Sequence, residues 1–222
     1  QLGEEHPTSS VWCRFRNVNA LDSYKSRSMH PCLMSNVRAS RSSATNHLMG
    51  HGWWVWLIPL ANGDYSVGIV WDRRAFTLPE GANLTERLRA HLMTHPIGRL
   101  MFEGAEPVED DTFYYKGLPY HTEQMAGNRW AMVGDAAGFI DPLYSQGLDY
   151  CGHTVYAVTQ MIKKASMGED VSATQAYLQG AYKRSYRLWF ESLYKDKYFY
   201  MGDAELVRIS FLMDLGTYFI GP

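Results

Sequence analysis

The 222-residue sequence predicts an α+β fold: an antiparallel sheet first, a short strand and a crossover loop next, and helices last. Three observations predict it. Two apolar runs, "HGWWVWLIPL" and "DYSVGIVWD", flank "ANG" at residues 61–63 and read as paired strands. The short run "NRWAMV" leads into the loop "GDAAGFIDPLYSQG". From Leu148 onward the apolar spacing becomes helical.

Taken in order, residues 10–17, "SVWCRFRN", partly alternate and predict a strand. Residues 22–43 are polar, basic and turn-like, with one short helix before Pro31. In the hairpin, Asn62-Gly63 is expected at the two central positions of a type I′ turn, both with positive φ. Residues 84–101 have helical spacing at Leu84, Leu88, His91, Leu92 and His95, with Thr85 as cap and Pro96 as stop or kink. "FYYKGLPYHTEQM" predicts another strand and turn, and "NRWAMV" a short buried strand. After Gly147, apolar or small residues at 148, 151, 155, 158, 162 and 165 predict a helix with one narrow buried stripe. Lys163 and Lys164 suit its C-terminal dipole, and Gly168 can cap it. A second long helix is expected from about Ser172 to Tyr200, with Leu178, Tyr182, Trp189 and Leu193 on one side.

An apolar fraction of 46% and a charged fraction of 20% are those of a soluble globular protein. A net charge of −2 without long charged blocks argues against nucleic acid or anionic membrane as partners. The odd, sparse cysteines, Cys13, Cys32 and Cys151, argue against a disulfide framework and for a reducing cytoplasm. The longest apolar run, Trp53 to Ala61, is about half of the ~18 residues a membrane span needs, and no signal peptide is evident. The first residue is Gln1 and the last stretch, "FLMDLGTYFIGP", is still apolar, so both ends are expected to be cuts in something longer.

The loop after Val133 carries the chemistry. Gly134, Ala136, Ala137 and Gly138 have little or no side chain, so a flat or polyhydroxylated ligand can approach the backbone. Asp135 can accept hydrogen bonds from a chain of hydroxyls, each worth roughly 1.5–3 kcal/mol when charge-assisted. Asp141-Pro142 makes a rigid turn. Ser145, Gln146 and Gly147 then bring free N–H groups to the mouth of the next helix, a site for an anion or for negative charge on a ring. Asp149, in the first helical turn, suits the dipole.

Other candidates carry less. His91 and His95 lie one helical turn apart, as in zinc helices, but lack the adjacent glutamate and a third ligand, so no metal is expected. His47 and His51 read as exposed loop histidines and Lys116 as a solvated lysine. The stripe Tyr182, Tyr186, Trp189, Tyr194 and Tyr198 could line a tunnel, but such stripes more often pack a helix onto its own domain.

The string from Val133 to Gly147 resembles the second flavin-binding motif of the FAD-dependent monooxygenase superfamily, and "GFIDPLYSQG" resembles more narrowly its flavin-dependent halogenase branch. The resemblance implies an α/β-type flavoprotein fragment that takes reduced FAD from a separate flavin reductase. It implies a halide ion and a small aromatic substrate, phenolic or pyrrolic, free or carrier-tethered. By it, Gly134, Asp135, Ala136, Gly138, Pro142, Gln146 and Gly147 would bind the cofactor, with Asp135 on the ribityl or ribose hydroxyls and Pro142 near the isoalloxazine. Ser145, Gln146 and Gly147 would match the halide loop at the ring edge.

Trp54-Val55-Trp56-Leu57-Ile58-Pro59 resembles the WxWxIP motif of the same halogenases. Alternation puts Trp54, Trp56 and Ile58 on one face. With Pro59 and Tyr144 they would line a substrate tunnel whose indoles keep the substrate from the flavin, so that the oxidant arrives as hypohalous acid. The resemblance runs diffusely over residues 10–222.

The chain also departs from that family. It contains no GxGxxG, and no counterpart of the family's catalytic lysine can be assigned. The N-terminal part of the FAD domain is therefore expected to be missing, and the chain alone to bind FAD weakly and be inactive. Tyr144 stands where tryptophan halogenases carry glutamate, and a phenol of pKa near ~10 cannot act as a carboxylate base, so free tryptophan is not the expected substrate. Residues 1–125 are expected to be mostly substrate-domain sheet, 126–168 FAD-domain strand, loop and helix, and 169–222 helical. A flavin aromatic hydroxylase, an isoprenoid reductase, and a non-catalytic remnant or interaction module are the alternatives.

Overall fold

The computed structural model describes residues 2–23 and 40–220; the short helix expected before Pro31 lies outside them. The chain divides into two compact units. One comprises Ser9–Lys116 and Tyr198–Val207; the other comprises Gln1–Thr8, Gly117–Lys197 and Arg208–Pro222.

The first unit is built on an antiparallel sheet. Its strands are β1 (Thr8–Arg16), β2 (Asn46–Gly50), β3 (Trp53–Pro59), β4 (Tyr65–Asp72) and the short β5 (Glu106–Pro107), in the order β2-β3-β4-β1-β5. A further strand, β6 (Phe113–Lys116), also pairs with β1. Val55 and Leu57 of β3 join Val11, Cys13 and Phe15 of β1 and Val67 and Ile69 of β4 in one core. Burying each such side chain stabilises the fold by roughly 1.5–3 kcal/mol. Two helices contribute Leu88, Leu92, Met101 and Phe102 to the same core.

The sheet meets the strand expectations, but its hairpin turn differs. Gly63 has φ 89°, whereas Asn62 is not among the positive-φ residues. Gly63 N–H bonds back to Leu60 O (3.0 Å), and Leu60 N–H to Asp64 O (2.8 Å). The loop is therefore the three-residue form with one left-handed glycine rather than the two-residue type I′ turn. Asn62 instead uses its side chain, whose Oδ1 accepts from Asp64 N.

The region 84–101 is two helices, α2 (Leu84–Thr94) and α3 (Pro96–Phe102), counting the short N-terminal helix Leu2–Glu5 as α1. Pro96 starts the second helix at a position where its missing N–H costs nothing. His95 between them caps α3 through Nδ1, which accepts from Ile97 N. The cap of α2 is Asn83, not Thr85: Asn83 Oδ1 accepts from Glu86 N, and Glu86 reaches back to Ala82 N. Thr85 has turned its hydroxyl to Thr112.

The second unit carries two two-residue strand pairings and the long helices. β7 (Tyr120–His121) pairs with β10 (Gly138–Phe139), and β8 (Ala126–Gly127) with β9 (Trp130–Ala131). "NRWAMV" is thus not a buried strand. It folds back on residues 126–127 through Arg129 at φ 66°, and Trp130 is 45% exposed.

Helix α4 (Gly147–Ser166) buries Met161 with Leu178 of α5 (Ser172–Trp189) and Thr154 at the Gly134 turn, while Leu148, Val155 and Ile162 are exposed. The expected stripe was misplaced because Thr154, a polar residue, turns inward. Its hydroxyl accepts the Gly134 N–H (2.9 Å), which helps fix the rotation of the helix. α5 ends at Trp189, well short of Tyr200. A wider turn over Phe190–Tyr194 follows, with Lys195 N–H on Phe190 O, and Asp196 at φ 59° reverses the chain. The last helix is α6 (Ala204–Ile220). Among the described residues no helix is long and apolar enough to cross a membrane.

Candidate functional site

The glycine–aspartate loop begins as a single 3-10 turn, Gly134–Ala136. Gly134 has φ 54°, and a Cβ there would stand 3.3 Å from Cys151 Sγ. Its backbone is tied to α4 by the Thr154 bond, so the turn is held against the helix it precedes. The Asp135 carbonyl accepts from Tyr120 OH (2.7 Å). The Asp135 carboxylate is exposed and enters no hydrogen bond or ion pair among the described residues. Its Oδ1 lies 3.8 Å from where a Cβ of Gly147 would sit, at the mouth of α4.

Ala136 is exposed beside it. Gly138 plays a different part: the space a Cβ would need is filled by Tyr182 OH and the Tyr120 carbonyl. Its small size is used by the chain's own packing.

At the other end of the loop, Ser145 has φ 57° and is exposed. Among the described residues, no carbonyl takes the N–H groups of Gln146 and Gly147. With the positive end of the α4 dipole behind them, these donors can accept an anion. Pro142 is half-buried between Asp141 and Leu143.

Two buried polar clusters hold this loop, and neither was legible in the sequence. In the first, His6 Nε2 is paired with Asp141 Oδ2 (3.1 Å), and Asp141 Oδ1 accepts from Leu143 N (3.0 Å). Tyr194 OH donates to Gln146 Oε1, and the His6 ring lies edge-on to Phe190 and Tyr194. Burial beside Asp141 pushes the Tyr194 phenol well above its ordinary pKa, which keeps it a donor. In the second, Tyr144 OH and Lys197 Nζ both donate to Asp214 Oδ2. Of the residues that reach the loop from outside it, only Tyr194 carried a sequence signal, in the aromatic stripe.

The tryptophan strand belongs to the sheet unit. Trp54 and Trp56 share the face opposite the core, with ring centroids 5.8 Å apart. Trp54 is buried and its Nε1 donates to Tyr198 OH (2.7 Å). Trp56 is half-buried, donates to Ser66 Oγ, and has the Trp12 ring 6.4 Å away. Phe113 stacks on Trp12 at 5.7 Å, so the aromatic face extends past the motif. Ile58 and Pro59 are half-buried at the end of β3.

The remaining candidates have structural partners. His91 packs edge-on against Trp53 (4.3 Å) and Phe76 (5.1 Å). His51 Nδ1 is 3.0 Å from Phe199 O, and His47 lies against Trp54. Among the described residues no group of three or more His, Cys, Asp or Glu side chains could hold a metal ion.

A carboxylate unpaired among the described residues, beside a bare helix N-terminus, offers a ligand an acceptor for its hydroxyls and donors for its negative charge. Comparison with known proteins gives the family: the model described as Tryptophan halogenase matches residues 26–193, and the chain belongs to that family.

Flavin-dependent halogenase chlA of Dictyostelium discoideum is 26% identical over 216 residues, covering 95% of this chain and 34% of the relative. The 1H-pyrrole-2-carbonyl-[peptidyl-carrier protein] chlorinase of Pseudomonas fluorescens is 24% identical over 145 residues, 62% of this chain and 30% of the relative. The chain thus spans about a third of the length of these relatives. The crystal structure of halogenase PltM shares the fold with a TM-score of 0.75 at 21% identity, over 95% of this chain and 42% of that one. PltM has also been solved in complex with phloroglucinol and FAD, and that structure matches with a TM-score of 0.68 at 20% identity, over 89% of this chain and 40% of that one.

Proposed function

We propose that this chain is part of an FAD-dependent halogenase and carries the loop that meets the flavin. The observation that carries the reading is the Asp135 carboxylate, exposed and unpaired beside the free amides of Gln146 and Gly147. The residues present fit the group. Asp135 would accept from ribityl or ribose hydroxyls, Gly134 would set the turn that presents it, the exposed Ala136 leaves the approach open, and Pro142 would flank the ring. Gln146 and Gly147, after Ser145, would hold halide or the ring's negative edge. The reduced cofactor, with O2, would supply the oxidation that turns halide into an electrophile.

Trp54, Trp56, Ile58 and Pro59 are proposed to face substrate in the sheet unit, and Tyr144 is proposed as a substrate-facing residue of the other unit. The substrate class is a small electron-rich aromatic, and a carrier-tethered form is supported by the relative named for a pyrrole on a peptidyl carrier protein. A separate flavin reductase would deliver reduced FAD, and a cytoplasmic setting fits that supply. The division into substrate-domain (1–125), FAD-domain (126–168) and C-terminal (169–222) parts is proposed on the same grounds.

The test is calorimetric titration of FAD into this chain and into Asp135→Ala. With one half of a dinucleotide site, binding is expected to be weaker than micromolar. Loss of a charge-assisted bond of roughly 1.5–3 kcal/mol should weaken it by about ten- to a hundredfold. Equal binding by Asp135→Ala would remove the central residue of the reading. In the longer parent protein, supplied with a reductase and chloride, a chlorinated aromatic product is expected; hydroxylation without chlorine would favour a hydroxylase.

A further inference from the structure

Lys197 and Asp214 are 3% and 7% exposed and come from segments that the flavin motif does not include. The Lys197 ammonium has three protons to donate, and three acceptors receive them: Asp214 Oδ2, Tyr144 OH (3.0 Å) and Ser210 Oγ (3.0 Å). Tyr144 OH and Ser210 Oγ in turn donate to the same Asp214 oxygen. The ammonium also sits 5.0 Å from the centroid of the Tyr144 ring. Tyr144 is therefore gripped both at its hydroxyl and on its ring face.

The next residue, Ser145, takes a left-handed backbone conformation that a non-glycine residue holds only when its surroundings impose it. Beyond it come the two free amides. From these contacts we propose that Lys197, Asp214 and Ser210 are positioning residues. By fixing Tyr144 they hold the 144–147 turn in the form that presents the Gln146 and Gly147 N–H groups to an anion. The proposal rests on the reading of those amides as the halide or ring-edge site. A buried ion pair kept only for stability would not need to close on a side chain of the loop itself. The cluster is also neutral as a pair, so the attraction for an anion comes from the amides and the helix end, and the pair supplies geometry.

Two variants and two readouts test it on this chain. Tyr144→Phe keeps the ring and removes the hydroxyl. Lys197→Met combined with Asp214→Leu removes both charges together, so that no lone charge is left buried. Hydrogen exchange of the 141–150 peptide reads the grip on the loop, with the α5 peptide as a control for global unfolding. Chloride NMR linewidth reads the anion site without flavin.

Exchange in 141–150 is expected to rise by about tenfold in both variants while α5 is unchanged, with chloride binding weakened by a similar factor. Exchange and chloride binding equal to the wild type in folded variants overturn the proposal. If the double variant does not fold, Tyr144→Phe alone decides, by the same outcomes. If the wild-type chain does not broaden the chloride line but the exchange effect is present, the grip stands and the anion reading falls.

Discussion

Acid should destabilise the sheet unit through His91. This imidazole is buried between Trp53 and Phe76, and its Nε2 has no hydrogen-bond partner among the described residues. Burial, with the neighbouring His95 adding to it, lowers its pKa from 6.5 to about 4. The sign follows from proton counting. Below pH 6.5 the unfolded chain binds a proton that the folded chain refuses until about pH 4, so stability falls as pH drops through that window and levels off beneath it. The shift is about two and a half units, which at 1.36 kcal/mol per unit gives about 3 kcal/mol from this side chain. His95, half-buried, is also lowered by burial and adds in the same direction.

The assay is urea unfolding at half-unit steps from pH 7.5 to 4, on the wild type and on His91→Leu. The wild type should lose stability by up to about 1.4 kcal/mol per pH unit in the lower half of that range on account of His91. His91→Leu should lose less by that amount. At pH 7 it should be as stable as the wild type or more so, because it deletes an unpaired buried nitrogen. Parallel pH curves for the two proteins would refute the reasoning, since they would mean His91 is protonated as easily in the fold as outside it.

Two further outcomes are expected from the packing. Gly134→Ala should cost about 1–2 kcal/mol, because alanine must adopt a left-handed backbone there and also crowd Cys151. Adding Cys151→Ala should recover only the crowding part; full recovery in urea unfolding would place the cost on the contact. Trp54→Phe and Tyr198→Phe each break the buried Trp54–Tyr198 bond, and a double-mutant cycle should give a coupling of about 1 kcal/mol. Zero coupling would mean the two side chains are held independently of that bond.

The parts of the fold that a reader of the sequence can recover are those written in short-range pattern. Alternation in "WWVWLIPL" assigns the two faces of β3 correctly, because a strand's side chains switch faces whatever lies beyond them. Pro96 marks a helix boundary for an equally local reason. The misreadings come from partners that pattern alone does not reveal. Thr85 looks like a cap until Asn83 competes for the same amides and Thr112 captures its hydroxyl. The α4 stripe looks apolar until one polar residue, Thr154, is required to hold Gly134. "NRWAMV" looks buried because it is apolar, but a run so short pairs with whatever the next turn brings, here residues 126–127.

The same division runs through the candidate site. The groups offered to a ligand, Asp135 and the amides after Ser145, lie within one continuous motif and can be named from it. The groups that keep them in place arrive from far along the chain: His6, 135 residues before Asp141; Tyr194, 48 after Gln146; and Asp214, 70 after Tyr144. A loop with free donors has no secondary-structure ladder of its own to stabilise it, so its shape must be imposed by side chains from elsewhere. Those side chains are buried polar groups, costly unless fully bonded, and so they come as closed clusters rather than single contacts. Spacing rules see neither the closure nor the distance. For this chain, the motif names the atoms proposed to meet the ligand, and only the folded contacts bring Tyr194, Lys197, Ser210 and Asp214 to the loop or to one another.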